Sequence, residues 1–203
     1  MAREDWGAER ACIRVQEIAG KGFGVVAVRR IQRGEVVLDA ADDLLLSLEY
    51  KPGIEPGRSE ITKAFENLSD ADKLRFMELG DKYASADDQK TVYGIFFTNV
   101  FGVRSKSGLA TGTHHVYHKI SRFNHSCDPH AAWHCRKMVA IKEIEAGEEI
   151  CFSYVKWRVY WTTIAERRAF LKSWKFDCQC PACSLADCQG SAAAARSGAE
   201  TIL

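Results

Sequence analysis

Three thiols crowd into Cys178-Gln179-Cys180-Pro181-Ala182-Cys183. Thiolates at such short spacings converge readily on one tetrahedral ion, and zinc is the usual occupant. A fourth ligand must come from elsewhere, and Cys127 and Cys188 are the contenders. Buried thiols without metal are the alternative. A second cluster is Ser121-Arg122-Phe123-Asn124-His125-Ser126-Cys127-Asp128-Pro129-His130, which gathers an amide, imidazoles and a thiol before an Asp-Pro turn. All six histidines lie between His114 and His134. A histidine metal site is one reading of them. The spacing of His114, His115 and His118 fits no standard helical pair of ligands cleanly, so hydrogen-bonding loop histidines are the plainer reading.

Two further segments carry chemistry. Gly20-Lys21-Gly22-Phe23-Gly24 spaces its glycines closely, which lets backbone approach a ligand without a Cβ in the way. A tight turn between strands is the alternative, and no long βαβ unit follows to make it a dinucleotide motif. Glu148-Glu149-Ile150-Cys151-Phe152-Ser153-Tyr154 alternates like a buried strand ending at Tyr154, with Trp157, Tyr160 and Trp161 close behind. These aromatics are either core or the walls of a narrow channel for a long cationic side chain.

The elements that must position these groups follow from periodicity. CIRV, GVVAV and EVVLDA are β-branched runs broken by Gly20, Gly22, Gly24 and Gly34, and they predict short strands. KPGIEPGRS predicts a loop. Ile61, Ala64, Phe65 and Leu68 then recur at helical spacing. Ser69, with Asp72 three residues on, caps a second helix through Leu79, ended by Gly80. ASADDQK is a polar break, and Val92, Ile95, Phe96 and Val100 return to helical spacing. Residues 102–113 are rich in Gly, Ser and Thr and predict a surface loop. MVAIKEI and EEICFSY predict strands about the turn EAGE, and TTIAERRAFLKSW predicts a helix. The final GSAAAARSGAETIL predicts a flexible tail over 189–203, or a loosely attached helix. The fold class expected is mainly β with a helical insertion, an α+β arrangement.

Bulk properties exclude other classes. Lys plus Arg is 28 and Asp plus Glu is 27, a formal net charge of +1, which argues against broad electrostatic binding to nucleic acid or anionic membranes. That near-neutral balance, without a basic patch, also disfavours a zinc-stabilised nucleic-acid module. No run of about 18 apolar residues predicts a membrane span. MAREDWGAERAC is charged and lacks the apolar stretch of a signal peptide, so an intracellular protein, nuclear or cytoplasmic, is expected. There the eight cysteines stay reduced, which favours metal over disulfides.

Taken together, four segments in order resemble the SET domain of protein lysine methyltransferases. GKGFGVVAVRRIQRGEVV resembles the opening glycine motif, RFNHSCDPH the RFxNHSCxPN signature, GEEICFSYV the closing GEExxxxY motif, and FDCQCPAC the post-SET CxCxxC module. The similarity covers about residues 8–185 and is nearest to short SET proteins of the MYND-related or fungal type. It implies a SET domain over 8–155 with a helical insert at about 51–100, then a post-SET helix and zinc module over 156–188. The implied fold is small β-sheets around a knot-like crossing of the NHSC segment and the loop carrying Tyr154.

The resemblance also implies the roles. S-adenosylmethionine contacts Lys21, Gly22, Phe23, Gly24, Asn124, His125 and Tyr154, and Phe176 stacks on its adenine. Tyr154 is the catalytic tyrosine, and Tyr117, Phe152 and Trp157 line the lysine channel. Cys127 joins Cys178, Cys180 and Cys183 on a structural zinc, in preference to Cys188. The partner is a protein presenting a lysine, a histone tail or another protein, and the enzyme is monomeric. One position departs from the signature: His130 stands where the family has Asn. That departure supports the alternative of a weak or inactive SET module that binds peptide or cofactor.

Overall fold

The computed structural model describes residues 12–50, 55–85, 89–104, 110–155 and 163–184, with only the backbone of Arg104. Trp157, Tyr160, Trp161, Cys188 and the tail over 189–203 lie outside the described residues. The chain divides into two compact units: Met1–Asn124 with Pro129–Phe152, and His125–Asp128 with Ser153–Leu203, each over its described residues.

Among its described residues the first unit holds three small antiparallel sheets. β1 (Ile13–Ile18) pairs with β2 (Gly22–Ala27) through a turn in which Gly20 and Gly22 both take φ of +72°, a conformation that L side chains rarely adopt. β3 (Val36–Asp39) pairs with β8 (Lys137–Ala140), which also pairs with β7 (Ala131–His134). β4 (Leu44–Glu49) and β5 (Val100–Arg104) flank β6 (Ala110–Tyr117). The stretch 102–113, expected as a loop, is thus largely the ends of two paired strands, with 105–109 undescribed. Gly102, Thr111 and Thr113 mislead by composition, yet Phe101, Val116 and Tyr117 anchor the pair in the core.

Among its described residues the helical insert has three helices: α1 (Arg58–Glu66), α2 (Asp70–Glu78) and α3 (Val92–Asn99). Ser69 Oγ accepts the N–H of Asp72, and Thr91 Oγ1 accepts that of Gly94, each satisfying an orphan donor of the first turn. Ile61, Phe76, Leu79, Ile95 and Phe96 are fully buried and pack with Leu46 and Val116. A second core gathers Val25, Ile31, Tyr117, Ile120, Phe123, Met138 and Ile150.

EEICFSY does not form a laddered strand. Its residues reach different partners in turn: Ala27 N–H donates to the Glu148 carbonyl, Ile150 N–H to the Val25 carbonyl and Phe152 N–H to the Asn124 carbonyl. Glu148 and Ile150 bond β2 about the single bridge between Val26 and Glu149, and Phe152 then bonds Asn124, so the segment leaves β2 before a ladder develops, although the apolar alternation is real. His130 sits beside this segment. Its N–H donates to the Cys151 carbonyl at 2.9 Å, and its Nδ1 accepts the Cys151 N–H at 3.4 Å.

In the second unit α4 (Ile164–Leu171) starts at a capping box, Thr163 and Glu166 bonding each other's backbone N–H. A 3-10 turn over Lys172–Trp174 follows, ended by Lys175 in the left-handed region at φ 59°. The chain then enters the cysteine segment. Val155, Leu171, Cys178 and Cys183 are buried there together.

Candidate active site and metal centre

In the first unit the glycine turn delivers its backbone to Asn124. Asn124 Nδ2 donates to Glu149 Oε1 at 2.9 Å and reaches the Phe23 carbonyl at 3.3 Å. Glu149 Oε2 accepts from Lys21 Nζ at 2.5 Å, so one carboxylate joins Lys21 to Asn124. A Cβ added to Gly24 would stand 2.6 Å from Ile18 Cγ1, 2.9 Å from Asn124 Nδ2 and 3.1 Å from Glu149 Oε1. At Gly20 and Gly22 nothing lies within 4 Å of such a Cβ, which leaves that backbone open to a ligand. Phe23 is half exposed, with the Arg122 guanidinium 5.0 Å from its ring centre.

Asn124 is carried by a turn that Asp43 holds. The buried Asp43 carboxylate accepts the N–H of Lys119 at 2.9 Å and that of Ile120 at 2.8 Å. Burial raises its pKa, opposed by these two donors. Tyr117 is fully buried, its hydroxyl 2.9 Å from His115 Nδ1. Its ring and that of Phe152 both pack against Phe101, at 5.6 and 6.1 Å between centres.

In the second unit Tyr154 joins an aromatic group of His125, Trp174 and Phe176. Ring centres lie 5.3 Å from Tyr154 to His125, 4.8 Å to Trp174 and 6.4 Å to Phe176. The Tyr154 N–H donates to His125 Nδ1 at 3.0 Å, and His125 Nε2 stands 3.3 Å from Cys127 Sγ. Burial pulls the His125 pKa down to about 4, helped by the nearby Arg167 charge and opposed by Cys180.

Cys127, Cys178, Cys180 and Cys183 bring their sulfurs within 4.8 Å of one another. Cys127 Sγ is 4.0 Å from that of Cys178 and 3.7 Å from that of Cys183. A zinc–thiolate bond of about 2.3 Å in a tetrahedron implies sulfur–sulfur edges of about 3.8 Å, so the four thiols fit this ion. Without a cation they cannot all ionise. Hydrogen bonds with Cys178 and Cys180 push Cys127 far up, hydrogen bonds with Cys127 and Cys178 pull Cys180 far down, and burial raises Cys183 to about 11.

The cysteines, His125, Tyr154 and Phe176 are therefore brought together in one unit. Lys21, Gly22, Phe23, Gly24 and Asn124 gather in the other, where Tyr117 and Phe152 flank Phe101. Sequence reading missed Glu149, although it lies in the GEEICFSYV motif, and gave Trp174 no part beyond the end of a helix. Nothing in the order of residues says that the second carboxylate of Glu148-Glu149 returns to residue 124.

A family model described as the SET domain matches residues 22–155. The histone-lysine N-methyltransferase set5 of Schizosaccharomyces pombe is 24% identical over 184 residues, covering 87% of this chain and 52% of its own length. The chain thus spans about half the length of this curated relative. Among solved structures, the SET domain of LSMT bound to lysine and AdoHcy is similar with a TM-score of 0.46 and 13% identity, over 73% of this chain and 50% of that one.

Proposed function

The chain belongs to the SET-domain family, and from that premise we propose that it is an S-adenosylmethionine-dependent protein-lysine N-methyltransferase. The observation that carries the reading is the fixed Tyr154: its backbone N–H is held by His125, and its ring is packed by Trp174 and Phe176. A tyrosine so restrained presents its hydroxyl in one direction, which is what aligning a nucleophile requires.

The cofactor, when bound, supplies an electrophilic methyl group on a sulfonium. Lys21, Gly22, Phe23, Gly24, Asn124 and His125 are the residues proposed to hold it, with Phe176 against the adenine. A free lysine amine has a pKa of about 10.4 and is mostly charged at neutral pH. Aromatic walls from Tyr117 and Phe152 disfavour the charged form by desolvation. The Tyr154 hydroxyl then orients the neutral amine, and nearby oxygens hold the methyl group through weak C–H···O contacts. Zinc on Cys127, Cys178, Cys180 and Cys183 is given a structural role, tying the post-SET segment into the fold. Trp157, as a channel residue, belongs to the same proposal. So do the monomeric state and an intracellular location, nuclear or cytoplasmic. Among the described residues, no helix is long and apolar enough to cross a membrane.

The substrate is a protein lysine, and a histone is the first to try, because set5 is named a histone-lysine methyltransferase. The test is transfer of labelled methyl to core histones and, separately, to proteins of a whole-cell lysate. Tyr154→Phe should lower transfer about a hundredfold while retaining cofactor binding. Label independent of Tyr154 would sink the assignment. Cofactor binding without turnover would favour a binding module instead.

A further inference from the structure

His115 and Tyr117 stand two residues apart on β6, so their side chains share one face of the sheet. Both are buried. Their rings meet edge to face, 5.7 Å between centres, and His115 Nδ1 lies 2.9 Å from the Tyr117 hydroxyl. The Arg136 side chain bonds the same hydroxyl. A guanidinium can only donate, so the Tyr117 oxygen is the acceptor there. Among the described residues the hydroxyl has no third partner, and its own proton is satisfied only by His115 Nδ1. Burial lowers the His115 pKa, with Arg136 and His114 helping and Glu49 opposing, so the ring is neutral at neutral pH and Nδ1 has a lone pair to offer. Burial also raises the Tyr117 pKa, against the pull of Arg136, so the hydroxyl keeps its proton.

We infer that His115 is a positioning residue for methyl transfer: it takes the Tyr117 hydroxyl proton, so that none is offered to the substrate amine in the channel that Tyr117 walls. The inference rests on the methyltransferase reading and adds to it a requirement of the nucleophile. In the transfer the lone pair of the neutral lysine amine forms the new N–C bond, the C–S pair stays with sulfur, and the product ammonium later gives a proton to water. An O–H aimed at the amine would bond that lone pair and weaken the attack. With its proton committed to Nδ1, the Tyr117 hydroxyl has only acceptor capacity left, and an acceptor meets the N–H groups of the amine instead of its lone pair. The Tyr117 ring is packed by Phe101 and Trp133, at 5.6 and 5.5 Å between centres, so the direction of the O–H is the freedom that His115 controls.

The test is initial-rate methyl transfer by the full chain onto core histones, or onto the lysate protein that wild type labels. His115→Leu, which removes the acceptor, should lower kcat about tenfold and leave the KM for S-adenosylmethionine within about twofold. His115→Asn restores an acceptor oxygen near the place of Nδ1 and should stay within about threefold of wild type. In a Tyr117→Phe background there is no hydroxyl proton to withhold, so His115→Leu should cost no more than about twofold further. If His115→Leu does not fold, His115→Phe keeps a ring without an acceptor and is read in the same way. A His115→Leu variant with wild-type kcat, a His115→Asn variant as slow as His115→Leu, or a loss undiminished in the Tyr117→Phe background would overturn the inference. Wild-type protein that transfers no methyl group to histones or lysate proteins would instead bring down the methyltransferase reading on which it stands.

Discussion

His125 joins the Tyr154 backbone to the thiol of Cys127 through the two nitrogens of one ring, 3.0 Å to the tyrosine nitrogen and 3.3 Å to the sulfur. The Tyr154 N–H can only donate, so Nδ1 is the acceptor. A neutral imidazole then carries its proton on Nε2, directed at the sulfur. The ring is thus an outer-sphere partner of a proposed metal ligand and a clamp on the proposed catalytic tyrosine.

Removing that partner should loosen the metal. His125→Ala is expected to lower zinc affinity about tenfold or more, because ligands that lose an outer hydrogen bond bind less well. Zinc transfer to a chromophoric chelator reads this directly. Unchanged transfer would mean that the Nε2–sulfur contact contributes nothing to retention.

Two glycines of one motif should fail differently on substitution. Gly22→Ala meets open space but a φ of +72°, so its cost is backbone strain of about 1 kcal/mol, seen as a lower unfolding midpoint. Gly24→Ala collides with Ile18, Asn124 and Glu149, so its larger effect should be on S-adenosylhomocysteine affinity. Thermal unfolding and calorimetry on both variants separate the two causes.

Asp43→Ala should destabilise the fold by about 2–4 kcal/mol, since it strands the backbone N–H groups of Lys119 and Ile120. Asp43→Asn retains one acceptor oxygen and should lose less. Denaturant midpoints give the comparison. A similar loss in both would assign the effect to charge, not to satisfied donors.

His115 should make stability depend on pH. Burial lowers its pKa below the ordinary 6.5, helped by Arg136. Below pH 6.5 the unfolded chain takes up a proton that the folded chain resists, so stability falls as pH drops through that region. His115→Gln should flatten the slope in denaturant titrations between pH 7 and 5. An unchanged slope would assign the acid sensitivity elsewhere.

These sites differ in how far the order of residues disclosed them. Cys178, Cys180 and Cys183 are legible because metal ligation constrains local spacing, and the resemblance supplied Cys127 at a distance. The cap of the second helix was legible because Ser69 acts on a residue three positions away, Asp72. Glu149 and Asp43 were not, because each works through partners far along the chain and neither type nor spacing marks such a return. The strands around 102–113 were hidden by composition, since glycine and threonine there are tolerated by a ladder whose anchoring residues lie just outside. His130 shows the reverse: a departure from the family signature that still provides a side-chain acceptor for the Cys151 N–H.

The cysteine cluster also sets a timetable for the newborn chain. Cys183 follows Cys127 by 56 residues. At a synthesis rate of about 5–20 residues per second, Cys127 waits about 3–11 s on the ribosome before its last partner exists. Over that interval it is an unliganded thiol, open to oxidation or to capture by a stray metal. Loading of the proposed zinc is therefore a late event in biogenesis. A message truncated anywhere between codons 127 and 183 would yield a chain that can never complete the cluster.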